Sequence, residues 1–556
     1  MNNQTYTVSE AIVKELRRAD VDVIYGIVSV HNMPIYNAIL NNGHIRMVTA
    51  RNEGAAVNMA DAYARATGKI GVVMTSTGTG AGNAAGSLAE TWNAGTPLLH
   101  ITGEVDSDYI GTDERYIHEA KDQLKMMDGA SKSAYLLKRP KSITPFMRKA
   151  INEAQAIPTG PVTIQIPTNF QATIIPENQL IETEVGYDSK QDVQLPDAII
   201  NNITTAKRPV IWAGNGINHA EASEELLSLM EKIQAPVITS GSGKGVIPED
   251  HPLCIGNFGY SPEFEAFLKT SDLLISIGVR FRAGETNTWA TPVPENHIHI
   301  NADPNAFNRN FNTRYHIVGD AKKILEKINQ TLNTEDISRD VTYINEVKET
   351  RQALRDNLNA SIGQYKDIAA SVNKQIQDNT ILLTDVTIPG YIWADKLVDI
   401  KEPRNFMHIT GEGIGQGLPM AIGAKIGQPD KPVVLVTGDG GFMVNAGELI
   451  TAVQEDTPII VLLFDDGGYG ILKYYQEAAY GQKAGVDLKN PDFVMMAKSM
   501  GFESEKVTSA ETFDKVLANA IKSQKPYMVV VDMQSVGDLE YEDSDAYIRS
   551  FRPHHG

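Results

Sequence analysis

The sequence predicts an α/β chain built of three doubly wound parallel-sheet domains, and three observations predict it. Short apolar runs recur along the chain, each ending in glycine or polar residues: KIGVVMT from Lys69, GPVTIQIP from Gly160, KRPVIWAGNGI from Lys207, SDLLISIG from Ser271, KPVVLVTGDGG from Lys431 and TPIIVLLFDDGG from Thr457. Runs of this kind are what parallel strands look like when helices cover both faces of their sheet. Next, the segment from Lys69 to Asn83 matches that from Lys431 to Asn445 without a gap, at a constant offset of 362 positions. Lys69/Lys431, Val72/Val434, Thr75/Thr437, Gly78/Gly440 and Asn83/Asn445 coincide, as do Ala84/Ala446, which argues for two copies of one α/β unit near the two ends. Finally, 556 residues give room for three or four domains of ordinary size.

Taken in order, residues 1–175 form the first domain, which opens on a polar and then amphipathic segment, MNNQTYTVSEAIVKELRRADVDVIYG. That segment has neither a signal-peptide apolar region nor a membrane span. The domain closes with GPVTIQIP, whose strand stops at Pro167, and a polar linker runs from Pro176 to Asp197. A central domain over 195–335 carries strands in KRPVIWAGNGI, APVITSGSG, SDLLISIG and NHIHIN, the rhythm of a doubly wound sheet. Gly214-Asn215-Gly216 follows a strand there but lacks the full dinucleotide spacing, which argues against an NAD(P) protein. A charged helical connector spans Glu335 to Gln364. The third domain, 360–540, has strands at ILLTD, FMHIT, VVLVT, IIVLLF and YMVVVDM, and 541–556 form a tail with no assigned role.

Composition narrows the partners. Fifty Lys and Arg against 69 Asp and Glu leave a net charge of −19, which excludes nucleic acid and anionic membrane as expected partners. Cys254 is the single cysteine, so an intrachain disulfide and a cysteine metal cluster are both excluded. The chain reads as cytoplasmic.

The chemistry is concentrated between Val433 and Gly470. VVLV reads as a buried strand and Gly438-Asp439-Gly440-Gly441 as a turn opening a helix of about a dozen residues. A second strand, IIVLLF, ends in Asp465-Asp466-Gly467-Gly468. Backbone N–H groups at a helix start suit phosphate oxygens, and the carboxylates suit a hard cation.

This layout resembles the signature of thiamine diphosphate (ThDP) enzymes, in the branch of acetolactate synthases, benzoylformate decarboxylases, benzaldehyde lyases and oxalyl-CoA decarboxylases. GPVTIQIP, the ITGEV segment at Ile101 and Ile110-Gly111-Thr112-Asp113 carry the resemblance beyond the turn, and it covers essentially the whole chain. It implies that Asp439, Asp466 and the Gly468 carbonyl bind Mg²⁺, and that Thr387, Gly438, Gly440 and Gly441 line the cofactor. The family usually has Asn where this chain has Asp466, which adds a charge beside the diphosphate. Thr77 stands where the second copy has Asp439, so only the third domain is expected to bind metal. The resemblance further implies that Glu53, ahead of Ala60-Asp61-Ala62-Tyr63-Ala64-Arg65, bonds the cofactor's pyrimidine N1′ and favours the tautomer that takes the proton from thiazolium C2. Ile414 would sit beneath the cofactor and bend it. His31 and His118 fall at substrate positions, where each could move a proton on a substrate hydroxyl.

The implied activity is a ThDP- and Mg²⁺-dependent decarboxylase or carboligase acting on 2-oxo acids. An aldehyde or 2-hydroxyacyl-CoA lyase and a non-catalytic cofactor-binding protein are the alternatives. GVRFRAGETN and IHINADP resemble segments of flavin-bearing acetolactate synthases, so FAD in the central domain stands beside a purely structural role for it. Because Glu53 and the metal ligands lie on different domains, the family implies a homodimer, or a pair of dimers, with sites shared between subunits.

Overall fold

In this computed structural model, residues 5–176, 195–337, 339–340, 342–537 and 539 are described. Most of the expected linker and the whole expected tail fall outside them.

Three six-stranded sheets, every pair within them parallel, form the three domains. The first runs Arg46–Thr49, Val23–Gly26, Gly71–Thr75, Leu98–Glu104, Pro161–Pro167, Ser133–Leu136 in spatial order. The third runs Phe406–His408, Ile381–Thr384, Val433–Gly438, Ile460–Asp465, Tyr527–Asp532, Glu503–Val507. The repeated segments, Gly71–Thr75 and Val433–Gly438, therefore hold the same third place in their sheets, and every residue of both is buried. The middle sheet is ordered Cys254–Gly256, Val237–Thr239, Pro209–Ala213, Leu273–Ile277, His297–Asn301, Tyr315–Val318.

Several strands have no counterpart in the sequence analysis, and most lie at the edges of their sheets, Ser133–Leu136 and Cys254–Gly256 among them. Glu503–Val507 and Tyr315–Val318 are edge strands too: the first is polar, the second only four residues long, and both are partly exposed, so they lack the apolar run that marks a central strand. The helix expected after Gly441 is also broken: Asp439–Phe442 makes one turn, and a second helix starts only at Glu448. In the first copy the equivalent helix, Thr79–Ala94, is continuous. The break frees Asn445 to donate to the Gly415 carbonyl at 2.7 Å, tying the turn to a neighbouring loop.

The first and third domains share a core. Helix Glu53–Thr67 lies against helix Gly417–Gly427, and both are buried along most of their length; the first also buries Asn58 and Asp61, the latter paired with Arg65. A Cβ at Gly423 would overlap the Met59 carbonyl, so only glycine allows this approach. The apolar cluster around them runs from Val23 to Val530, through both sheets, while the middle domain keeps its own. Among the described residues no helix is long and apolar enough to cross a membrane.

Three histidines sit inside the sheets. His100, His297 and His299 are at most 3% exposed, and burial pushes them from the ordinary 6.5 down to about 3, about 4 and about 4. A base held below its unfolded value stabilises the fold fully above 6.5 and loses that contribution as pH falls towards 4. Acid titration followed by circular dichroism should show stability declining from about pH 6.5 downwards with net proton uptake on unfolding. A stability flat from pH 7 to 4 would contradict it.

Candidate functional site

In the first domain the site residues gather at the carboxyl ends of the strands, where ligands bind in open α/β sheets. Asn52 caps helix Glu53–Thr67 by accepting Gly54 N–H at 2.8 Å and Ala55 N–H at 3.3 Å, so Glu53 is the first helical residue. Its Oε2 accepts a hydrogen bond from Asn83 at 3.0 Å, and a Cβ at Gly80 would lie 3.2 Å from Oε1. Glu53 thus rests against the start of helix Thr79–Ala94. Gly78, two residues before Gly80, packs on the His118 backbone. The His118 ring meets the His31 ring edge-on, with centroids 5.1 Å apart.

His31 is buried and His118 exposed. Burial, then the neighbouring His118, holds His31 below its ordinary value, and its Nδ1 is buried without a hydrogen-bond partner. Thr77 gives its hydroxyl to Gln123 at 2.8 Å and to Glu104 at 3.3 Å, an ordinary polar contact in place of a metal ligand.

The third domain supplies the second group. Asp439 heads the one-turn helix and is 1% exposed, and Gly438 lies beside the Thr387 hydroxyl. A Cβ at Gly440 would come 3.1 Å from the Gly468 carbonyl oxygen, and one at Gly441 3.3 Å from Gly415 N. The turn therefore brings together Gly468 and the loop of Ile414, whose side chain is 40% exposed. Asp466 Oδ1 is buried with no hydrogen-bond partner, and a Cβ at Gly470 would strike the same carboxylate. Burial, then the charge of Asp439, pushes the Asp466 carboxyl up to about 6. An orphaned carboxylate oxygen beside a second carboxylate and a carbonyl is a donor set that fits a hard divalent cation. Among the described residues no group of three or more His, Cys, Asp or Glu side chains gathers for a metal, so backbone oxygen would have to complete the set.

Three residues here were not foreseen. Asn490 donates to Asp439 Oδ2 at 2.5 Å and to Asp465 Oδ1 at 2.7 Å, fixing both carboxylates. Asp385, 3% exposed, accepts Gly415 N–H and Gly417 N–H, each at 3.2 Å, and so props the loop that carries Ile414. Lys473 reaches back from helix Gly470–Tyr480 to the Asp466 carbonyl at 2.9 Å, with Asp466 Oδ1 3.6 Å away. The lysine offsets the charge that Asp466 adds. Nothing in the local sequence pattern marked Asn490 or Lys473; Asp385 ends the ILLTD strand and was legible as a strand-end carboxylate. In the middle domain a cavity of about 150 Å³ is lined by Asn215, Gly278, Arg280, Asn301 and Asp303 among others.

Two parallel-sheet domains related by an internal repeat, one carrying a helix-start glutamate and the other a carboxylate-and-glycine cradle, define a cofactor-diphosphate enzyme. The chain matches the thiamine pyrophosphate enzyme N-terminal TPP binding domain over residues 6–127, the central domain over 197–328 and the C-terminal TPP binding domain over 390–531. It is 33% identical over 552 residues to a protein described as the probable acetolactate synthase large subunit of Methanococcus aeolicus, covering 94% of this chain and 91% of that one. The acetolactate synthase large subunit of Corynebacterium glutamicum is 30% identical over 91% of this chain and 83% of its own length. For the isozyme 2 large subunit of Escherichia coli K12 the identity is 28%, over 95% of each. The chain belongs to the thiamine diphosphate enzyme family, in its acetolactate synthase-like branch.

The Lys473–Asp466 pair yields a test. If Asp466 faces the diphosphate, Lys473→Met leaves an uncompensated charge there and should weaken ThDP binding roughly tenfold, about 1.4 kcal/mol. Adding Asp466→Asn should restore it. Calorimetric titration of ThDP at fixed Mg²⁺ reads both; equal affinity in all variants would remove the compensating role.

Proposed function

We propose that this protein is a ThDP- and Mg²⁺-dependent carboligase that condenses 2-oxo acids in the manner of an acetolactate synthase. The observation that carries the reading is the pairing, on one chain, of a helix-start Glu53 held by Asn83 with the Asp439 and Asp466 oxygen set. A domain that had lost catalysis would have no reason to keep both halves.

In this reading Asp439, Asp466 and the Gly468 carbonyl hold Mg²⁺, and Gly438, Gly440, Gly441 and Thr387 border the diphosphate. Bound ThDP supplies the carbanion chemistry by which a 2-oxo acid loses CO₂ and its remaining acyl carbon joins a second carbonyl. Glu53 holds a proton at the pyrimidine ring nitrogen. Ile414 would pack beneath the bound cofactor and restrict the shapes it can take, and a restriction of that kind replaces a collision with a preset approach. His31, held neutral by burial, accepts from the substrate through its unpartnered Nδ1, and His118 beside it exchanges protons with solvent.

The assembly follows from where the apolar surface lies. Val28, Val30 and Met33 are at least half exposed at the strand ends of the first domain; Ile414, Met443 and Val444 are 40%, 41% and 55% exposed at those of the third. Large apolar side chains left bare beside both half-sites support a homodimer that buries them and completes two sites, with a pair of dimers as its extension. The middle-domain cavity takes no part in this chemistry; a flavin there would show as visible absorbance in the purified protein. A single buried cysteine and an acidic surface suit the cytoplasm.

Purified protein with ThDP, Mg²⁺ and a panel of 2-oxo acids should release CO₂ and yield 2-hydroxy-2-alkyl-3-oxo acids, acetolactate among them. Simple aldehydes as the main product would instead make it a decarboxylase. Glu53→Gln should retain the fold and lose on the order of 10²-fold or more in turnover, since an amide cannot hold the proton. Mixing inactive Glu53→Gln and Asp439→Ala subunits after dissociation should return part of the activity, because a mixed dimer has one site with neither defect. No recovery despite subunit exchange would place each site within one chain.

A further inference from the structure

Two buried glutamates mirror one another where the first and third domains meet. Glu448, 1% exposed, stands at the start of helix Glu448–Gln454 beyond the Asp439 turn. Its Oε1 accepts the backbone N–H of Arg51 at 2.8 Å and of Asn52 at 3.1 Å, and its Oε2 accepts the Thr451 hydroxyl at 2.6 Å. Glu90, 3% exposed, lies in the last turns of helix Thr79–Ala94. Its two oxygens accept the backbone N–H of Thr410 and of Gly411, each at 2.5 Å.

The mirror is topological. Arg51 and Asn52 follow Arg46–Thr49, the first strand in the order of the first sheet, and Thr410 and Gly411 follow Phe406–His408, the first in the order of the third. Each domain thus sends a carboxylate into the same loop of the other. One loop leads directly into Glu53; the other leads into Ile414.

Local energetics do not account for both carboxylates. Glu448 gains from its helix N-terminus, but Glu90 sits near a helix C-terminus, where negative charge is disfavoured. Burying a carboxylate is costly unless charge-assisted hydrogen bonds replace water. Glu90 recovers that cost only through the loop it holds, with the Arg65 guanidinium 3.6 Å away.

We propose that Glu448 and Glu90 are reciprocal positioning residues: Glu448 sets the backbone ahead of Glu53, and Glu90 sets the loop that carries Ile414. The proposal rests on the ThDP reading above, and its consequences differ for the two residues. Glu448 acts through Glu53, on turnover. Glu90 acts through Ile414, on how tightly the cofactor is held.

Glu448→Ala should speed hydrogen exchange of the Arg51 and Asn52 amides about tenfold, as loss of a hydrogen bond does, while strand Gly71–Thr75 stays protected. Turnover should fall on the order of 10²-fold with KM little changed, as misplacement of a reacting group does. Glu448→Gln, whose amide oxygen accepts the same two N–H groups, should recover most of it. In a Glu53→Gln background Glu448→Ala should cost nothing further, whereas Glu90→Ala should still weaken ThDP binding in calorimetry. An equal loss from Glu448→Ala with and without Glu53, or unchanged amide exchange, would overturn the proposal. Should Glu448→Ala not fold, the same exchange and turnover comparison on Glu448→Gln and a Glu448→Leu variant decides it, full activity in the leucine variant overturning it. A fully active Glu53→Gln would instead sink the cofactor reading itself, so the two failures are distinct.

Discussion

The close approach of helix Glu53–Thr67 to helix Gly417–Gly427 is the constraint on which the rest depends. With Gly423 against the Met59 carbonyl, the helices touch backbone to backbone, and a single apolar cluster joins two sheets that would otherwise be separate domains. A packed core transmits displacement and does not absorb it. The helices run parallel, so the helix start that presents Glu53 and the loop that presents Ile414 lie at the same end of this contact, and their relative position within one chain is as fixed as the core itself.

Much of this was legible in the sequence because parallel strands buried on both faces leave nothing ambiguous. Val433–Gly438 and Gly71–Thr75 declare themselves by apolar runs, and the ungapped repeat between them forecast two copies with matching places in matching sheets. The glycine turn with Asp439 and the second strand end with Asp466 were visible for the same reason. Edge strands such as Glu503–Val507 were not, since half their residues face water and their composition is that of a loop.

The site's supporting residues were hidden for a different reason. Asn490, Glu90 and Glu448 each act on a group distant in sequence, and Lys473 reaches back over a glycine loop to Asp466; a role in contacts of this kind leaves no local period or motif. The break in the helix after Phe442 has both causes: Val444, Asn445 and Gly447 are weak helix formers, and Asn445 and Glu448 are drawn to other loops by tertiary bonds. His31 and His118 lay between the extremes, His31 readable from its loop after the first strand and His118 from the resemblance, but not as a contacting pair, since the loop of His118 closes on His31 only in the fold.

The lysine beside Asp466 bears on history as well as on charge. In the proposed site an asparagine at this position would tolerate either a lysine or a neutral neighbour, whereas an aspartate without the lysine would leave an uncompensated anion against the diphosphate. The two exchanges therefore do not commute. On that reading a lineage passing from the neutral amide to this acid would keep its full cofactor affinity throughout only if the lysine arrived first, and once the acid was in place the lysine could not be lost alone without weakening the site.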